Sequence, residues 1–157
     1  MPDASSILLD KYKEHRTQAR QHETLRSSLV AFTGAAAGAV LGLAGAGGAD
    51  KTFKLAAAAF LVLMGTFAAL MAYKHYERFR YHTTLAKEFD KRLISLSDKI
   101  VHLENYDELK AKHVKRFGWV VEARAHLGWI LFPALIAVLG LVLLLLQIKV
   151  YYFSGSP

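Results

Sequence analysis

The chain has 157 residues, of which 54% are hydrophobic, and its 20 Lys and Arg against 13 Asp and Glu give a formal charge of +7. A soluble domain of this size rarely combines so much apolar content with such a basic excess. The sequence contains no cysteine, which excludes disulfides and thiolate metal sites within the chain. The apolar residues are segregated into long runs, which indicates a membrane protein.

Three apolar runs predict transmembrane helices at residues 29–49, 55–73 and 127–149. Apart from Lys149 at the end of the last run, none of them contains a charged residue. Each run has about 20 residues, the length that crosses a hydrocarbon core of about 30 Å. The alternative, buried helices of a soluble protein, would need more polar chain than three such runs leave. We therefore expect an all-α membrane protein with three transmembrane helices.

The polar segments beside the first two spans repeat apolar or weakly polar residues in steps of four and three, which predicts packed helices. The connecting loop is centred between Asp50 and Lys51, so residues whose numbers add to about 101 should face each other. This register defines a long antiparallel hairpin over residues 1–105 that extends into the cytoplasm. The predicted seam of the hairpin consists of Leu8, Tyr12, His15, Ala19, His22, His75, Phe79, His82, Ala86, Phe89 and Leu93.

Within the first span, GAAAGAVLG places Gly34, Gly38 and Gly42 four residues apart. An interior glycine costs a helix about 1 kcal/mol relative to alanine, so we expect close packing here. Two interpretations remain open: a groove that receives the second span, or a glycine-zipper contact between subunits of a homo-oligomer. In both cases we expect Gly38→Leu to be disruptive and Ala37→Leu to have much less effect.

Residues 106–126 combine basic and aromatic residues, which predicts a basic amphipathic helix at the inner interface, near anionic lipid head groups. The alternative is a solvated linker helix. Aromatic residues lie on the seams instead of alternating with exposed Lys and Arg, so we expect no nucleic-acid partner. Aromatic residues at the two ends of the third span are expected to anchor it at the membrane interfaces: Trp119, Trp129, Tyr151 and Tyr152.

The basic residues are distributed unequally along the chain. Five precede the first span and twelve lie between the second and the third, whereas the loop between the first two spans has two and the C-terminal end one. The positive-inside rule therefore predicts a multi-pass protein of the cell (inner) membrane with a cytoplasmic N-terminus. The C-terminus, in a short tail at residues 150–157, is predicted to lie outside.

The sequence contains none of the common catalytic motifs, so we expect neither an enzyme nor a cofactor. The histidines are the titratable groups of interest, because His15, His22 and His82 fall in adjacent layers of the seam. Three interpretations are open: packed and hydrogen-bonded residues, proton sensing, or metal ligands. No charged residue lies in the middle of a span, which argues against an ion-coupled transporter.

The segments YKEHRTQARQHETLRSS and KHYERFRYHTTLAKEFDKRLISL flank two spans and a short loop. This pattern, over about residues 8–100, resembles the bacterial SLATT-type families, two-span membrane modules with helical cytoplasmic extensions. Those families occur as predicted pore-forming effectors in bacterial defence. The resemblance implies a homo-oligomeric effector that alters membrane permeability on a cytoplasmic signal, and it implies no catalytic residues. A non-catalytic accessory or scaffold subunit that holds a cytoplasmic protein partner at the inner face also remains open.

Overall fold

The computed structural model describes residues 3–96, 111–112, 115–116 and 125–153. These residues contain three long α-helices: α1 (Ala4–Gly45), α2 (Lys51–Leu96) and α3 (Ala125–Phe153). The short described stretches between α2 and α3 are also helical, and no strand occurs in any described part of the chain. The predicted all-α fold class is therefore confirmed for the described residues.

Each of the three helices is long and apolar enough to cross a membrane, as judged by length and composition. α1 and α2 have 42 and 46 residues, which at 1.5 Å per residue gives lengths of about 63 and 69 Å, roughly twice the thickness of a hydrocarbon core. The predicted second span, residues 55–73, is therefore the apolar part of a much longer helix. The first span ends with α1 at Gly45, a few residues before the predicted end at Ala49.

The connection between α1 and α2 is short and its end is capped. The N–H of Ala46 donates a hydrogen bond to the carbonyl of Gly42 at 3.1 Å, at the end of α1. The carboxylate of Asp50 accepts a hydrogen bond from the N–H of Phe53 at 2.6 Å. An acidic residue in this position satisfies an N–H that has no partner within the helix, and its charge favours the positive end of the helix dipole. Asp50 thereby fixes the start of α2.

The described residues form two units. The polar unit contains the described residues of Met1–Glu23 and Tyr76–His126, and the apolar unit contains those of Thr24–His75 and Leu127–Pro157. α1 and α2 are each uninterrupted and contribute residues to both units. The polar unit is therefore built on the polar ends of α1 and α2, and the apolar unit on the apolar parts of all three helices.

The core of the apolar unit takes one residue from each helix: Ala37, Leu61 and Ile136 are 4%, 1% and 8% exposed. Most apolar side chains of this unit nevertheless face outward, such as Phe32 at 69% and Leu63 at 71% exposure. Of the most apolar 18-residue segment in each of α1, α2 and α3, only 17%, 33% and 17%, respectively, is buried. An outward apolar surface of this extent is not found on an ordinary soluble domain.

Some predicted segments lie partly or wholly outside the described residues. Of the interfacial helix predicted at residues 106–126, only residues 111–112, 115–116 and 125–126 are described. Trp119 and the end of the tail, residues 154–157, lie outside the described residues. The third span predicted at residues 127–149 falls within α3.

Candidate functional site

The predicted seam residues share one property in the structure: all eleven are buried or half-buried. In the polar unit the two alanines of the seam are the most deeply buried, with Ala19 at 3% and Ala86 at 1% exposure. Arg20 and Lys87, which directly follow them in sequence, are exposed. Each helix of the polar unit therefore turns one stripe of residues inward.

Three histidines lie together in the polar unit, and we call His15, His22 and His82 the histidine cluster. The Nδ1 atoms of His15 and His82 are 3.0 Å apart, a hydrogen-bond distance at which one ring donates its N–H and the other accepts it. The rings of His82 and His22 are stacked, with centroids 5.6 Å apart and planes at 12°. The ring of His15 is stacked on that of Phe89 at 5.5 Å and 8°. The four rings therefore form one row that joins α1 to α2.

Small neighbours make room for this row. Ala19 follows His15 by one helical turn, and Ala86 follows His82 by one turn. Side chains four residues apart are neighbours on a helix face, and a methyl group fills little of the space between two helices. The imidazole rings, centred 5.2 Å apart, can therefore extend between α1 and α2 and reach each other.

The surroundings of the cluster oppose a positive charge on it. Burial lowers the pKa of His82 below its usual range, and the charges of His15, His22 and Arg78 lower it further, whereas Glu14 raises it. The pKa of the Glu14 carboxyl is itself lowered, mainly because Lys11 donates a hydrogen bond to it at 2.9 Å. The fold thus favours a neutral His82.

The structure does not arrange the histidine cluster as a ligand set for a metal ion. Among the described residues, no group of three or more His, Cys, Asp or Glu side chains could hold a metal ion. His15 and His82 direct ring nitrogens at each other, and His22 lies stacked on the face of His82. The three candidate metal ligands are therefore close in space without converging on a common point.

The glycines of the first span differ from one another in their surroundings. A Cβ atom at Gly34 would lie 3.2 Å from the ring of Phe132 in α3, whereas at Gly38 or Gly42 it would meet no atom of the described chain within 4 Å. The groove for the second span is therefore not seen at Gly38 and Gly42, and a subunit contact there stays a prediction. Ala37 belongs to the core, so packing within the chain leads us to expect that Ala37→Leu is more disruptive than Gly38→Leu.

The glycines of the apolar unit that lie tightly against a neighbouring helix are instead Gly65 of α2 and Gly140 of α3. A Cβ atom at Gly65 would lie 2.5 Å from the backbone nitrogen of Ala137 and 2.7 Å from the carbonyl oxygen of Pro133. At Gly140 it would lie 2.7 Å from the backbone nitrogen of Val62. A real Cβ atom cannot come so close to backbone atoms, so both positions require glycine. We call this contact the glycine crossing.

The contact between Gly65 and Gly140 was not predicted from the sequence. The available signal was the spacing of Pro133, Ala137 and Gly140 by four and three residues, which puts them on one face of α3.

The predicted interfacial anchors have unlike environments. Trp129 is half-buried, and the guanidinium of Arg26 lies over its ring at 5.6 Å from the centroid, a cation–π contact. Arg26 is only 7% exposed. Tyr151 and Tyr152 are 63% and 72% exposed, and their rings meet edge to face at 5.4 Å. Most of the surface of these two tyrosines is therefore exposed at the end of α3.

Comparison of the chain with protein-family models, with curated proteins and with solved structures finds no match. The resemblance of about residues 8–100 to the SLATT-type families therefore stays a prediction. What bears on function is the chain's own geometry, namely the exposed apolar surface, the histidine cluster and the glycine crossing.

Proposed function

We propose that the protein is an integral protein of the cell (inner) membrane that acts as a homo-oligomeric, channel-like effector and alters membrane permeability in response to a cytoplasmic signal. The observation that carries this proposal is the outward apolar surface of the three helices. In each helix, no more than 33% of the most apolar 18-residue segment is buried. Lipid or a second copy of the chain must cover this surface, because water would not.

The positions of the charges support an orientation. Because basic residues prefer the cytoplasmic side, the polar unit lies in the cytoplasm and the loop before Asp50 lies outside, as does the C-terminus. In this orientation the extended antiparallel hairpin is supported by the order of contacts in the polar unit. His22 meets His82, and His15, further towards the N-terminus, meets Phe89, further towards the C-terminus.

Two observations support a homo-oligomer. Three helices from one chain cannot line a pore, so any change in permeability requires several subunits. In addition, Gly38 and Gly42 leave space on the outer face of α1, where a second helix could approach closely; in lipid such contacts are held by packing between small residues.

One observation favours a second candidate, an accessory or scaffold subunit. The polar unit presents exposed basic side chains on both of its helices, including Arg16, Arg20, Lys87 and Lys91. Such a surface suits an acidic protein partner or the anionic head groups of the inner leaflet. A scaffold of this kind would bind its partner without changing permeability.

A measurement of membrane potential during induced expression separates the two candidates. For an effector, we expect a potential-sensitive dye to report depolarisation once the protein accumulates in the membrane. For a scaffold, the potential stays unchanged at the same membrane level of protein. Purified protein in dye-loaded vesicles repeats the measurement without other cellular components.

A matched pair of variants tests the oligomer in the same assay. Gly38→Leu adds a side chain in open space, so we expect folded protein in the membrane, a smaller particle in detergent and no depolarisation. Ala37→Leu adds one in the core beside Leu61 and Ile136, so we expect loss of folded protein. Full depolarisation and unchanged particle size with Gly38→Leu would contradict a subunit contact at this glycine.

A further inference from the structure

We propose that the histidine cluster is a proton-sensitive latch: it holds the polar ends of α1 and α2 together while the rings are neutral, and releases them on acidification. The latch consists of His15, His22 and His82 with the ring of Phe89. This inference goes beyond the proposed function and holds whether or not the protein alters membrane permeability.

The hydrogen bond between His15 and His82 requires an unprotonated ring. With the two Nδ1 atoms 3.0 Å apart, one nitrogen carries a hydrogen and the other must offer a lone pair. A protonated imidazole has N–H groups at both nitrogens and accepts nothing. Protonation of both histidines therefore replaces a hydrogen bond by two N–H groups that point at each other.

The charged groups around the cluster make protonation of the histidines still less favourable. From α1, His15, His22 and Glu14 act on His82, and from its own helix Arg78 acts on it. Tyr81 also contacts the His82 ring edge to face at 5.1 Å. Of these groups only Glu14 is acidic, and it already accepts a hydrogen bond from Lys11. A protonated His82 thus faces more positive than negative charge.

The stacking geometry spreads the effect along the row. The centroid of His82 lies 5.2 Å from that of His15 and 5.6 Å from that of His22. Neutral rings at such separations attract each other, whereas charged rings at the same separations repel. Acid therefore acts on every contact that the histidines make between α1 and α2, and not on the hydrogen bond alone.

The direction of the pH effect follows from the lowered pKa of His82. Because the folded pKa lies below the usual value of about 6.5, the unfolded or separated state binds the proton more readily than the closed state. The contribution of the latch to stability is therefore complete above about pH 6.5 and decreases as the pH falls towards the folded pKa. The core of the apolar unit, built on Ala37, Leu61 and Ile136, has no titrating group and is unaffected.

Distance measurement between two spin labels tests the latch in the full chain. Thr17 and Thr84 are exposed and uncharged, and the chain has no native cysteine, so Thr17→Cys with Thr84→Cys gives one label on each helix. In detergent micelles, we expect a single short distance at about pH 8 and a longer, broader distribution at about pH 5, where free histidine is charged.

Histidine variants identify the groups responsible. In His82→Phe the aromatic row is retained but its central proton acceptor is lost, so we expect the distance to become insensitive to pH. His126→Phe is the matched control, because His126 stacks on Tyr76 at 4.5 Å in the same unit, outside the cluster. The response to pH should be unchanged in this control.

Two results would overturn the proposal. The first is an unchanged distance between about pH 8 and about pH 5 in the labelled chain with all histidines present, a range that spans the usual histidine pKa. The second is a full pH response that survives in His82→Phe, which would assign the response to another group. Circular dichroism at both pH values verifies that each variant is helical, and if His82→Phe is not, His15→Phe takes its place with the same expected loss.

Discussion

At Gly65 and Gly140, a single methyl group is enough to separate two helices. The added Cβ atom would contact backbone atoms of the neighbouring helix at 2.5 to 2.7 Å. A backbone cannot rotate away as a side chain can, so the helices must shift. Gly38 and Gly42 lie in α1, also an apolar part of a long helix, but have open space beside them. This contrast allows a controlled test.

We expect Gly65→Ala and Gly140→Ala each to destabilise the apolar unit by about 1–3 kcal/mol, the usual cost of overpacking, and nearer the upper value because backbone is displaced. Gly42→Ala, the control, should cause no loss and can gain up to about 1 kcal/mol from the better helix propensity of alanine. Thermal or denaturant unfolding in detergent, followed by circular dichroism, measures both effects. Equal stability of all three variants would contradict the glycine crossing.

Individual residues also show which packing contacts could be predicted from this sequence and which could not. The seam residues could be found because polar helices show a clear alternation of three and four. The residues of α3 are apolar on all sides, with a mean hydropathy of 2.8 in the most apolar window, so periodicity does not indicate which face packs. Gly140 was missed for this reason, and Ala37→Leu was expected to have much less effect than Gly38→Leu although Ala37 lies in the core.

At the scale of helices, the facing register of α1 and α2 in the polar unit predicts which residues can be joined. The predicted register, in which the numbers of facing residues add to about 101, places Tyr12 opposite Phe89. Both residues are half-buried. We expect Tyr12→Cys with Phe89→Cys to form a disulfide readily under mild oxidation, since bridged residues need Cα atoms within about 7 Å. Mobility on a denaturing gel, with and without reductant, measures the yield.

The control for this cross-link shifts one partner by a heptad. Tyr12→Cys with Leu96→Cys keeps the same helix face but should be too far apart to react. Preferential cross-linking of the 12 and 96 pair would show that the register is displaced by two turns. The absence of native cysteine means that any disulfide observed comes from the introduced pair.

The register of α1 and α2 predicts the positions of the clustered histidines but not the contacts between their rings. The register set His15 and His82 each opposite an alanine and His22 opposite a phenylalanine, with His15 and His82 in adjacent layers. The contact between their rings depends on side-chain rotamers and on the space beside Ala19 and Ala86. Neither can be read from spacing, because spacing locates Cβ atoms and not ring nitrogens.

At the scale of the whole molecule, the distribution of charge predicts how the chain is oriented. We expect a reporter fused after residue 157 to be active outside the cytoplasm, and reporters inserted after residue 96 or after residue 112 to be active inside. Paired reporters that are active only on opposite sides of the membrane provide the measurement. A cytoplasmic signal at residue 157 would eliminate the arrangement with three spans.

The glycine crossing has a consequence for how many helices the apolar unit needs. Where α3 lies against α2, the surface of α2 is formed by Gly65, Ala58 and the fully buried Leu61, and Pro133 of α3, also fully buried, fits against it. Without α3, this narrow recess on α2 would lose the helix that fills it. α3 is therefore an integral part of the apolar unit and not a helix added to a self-sufficient pair.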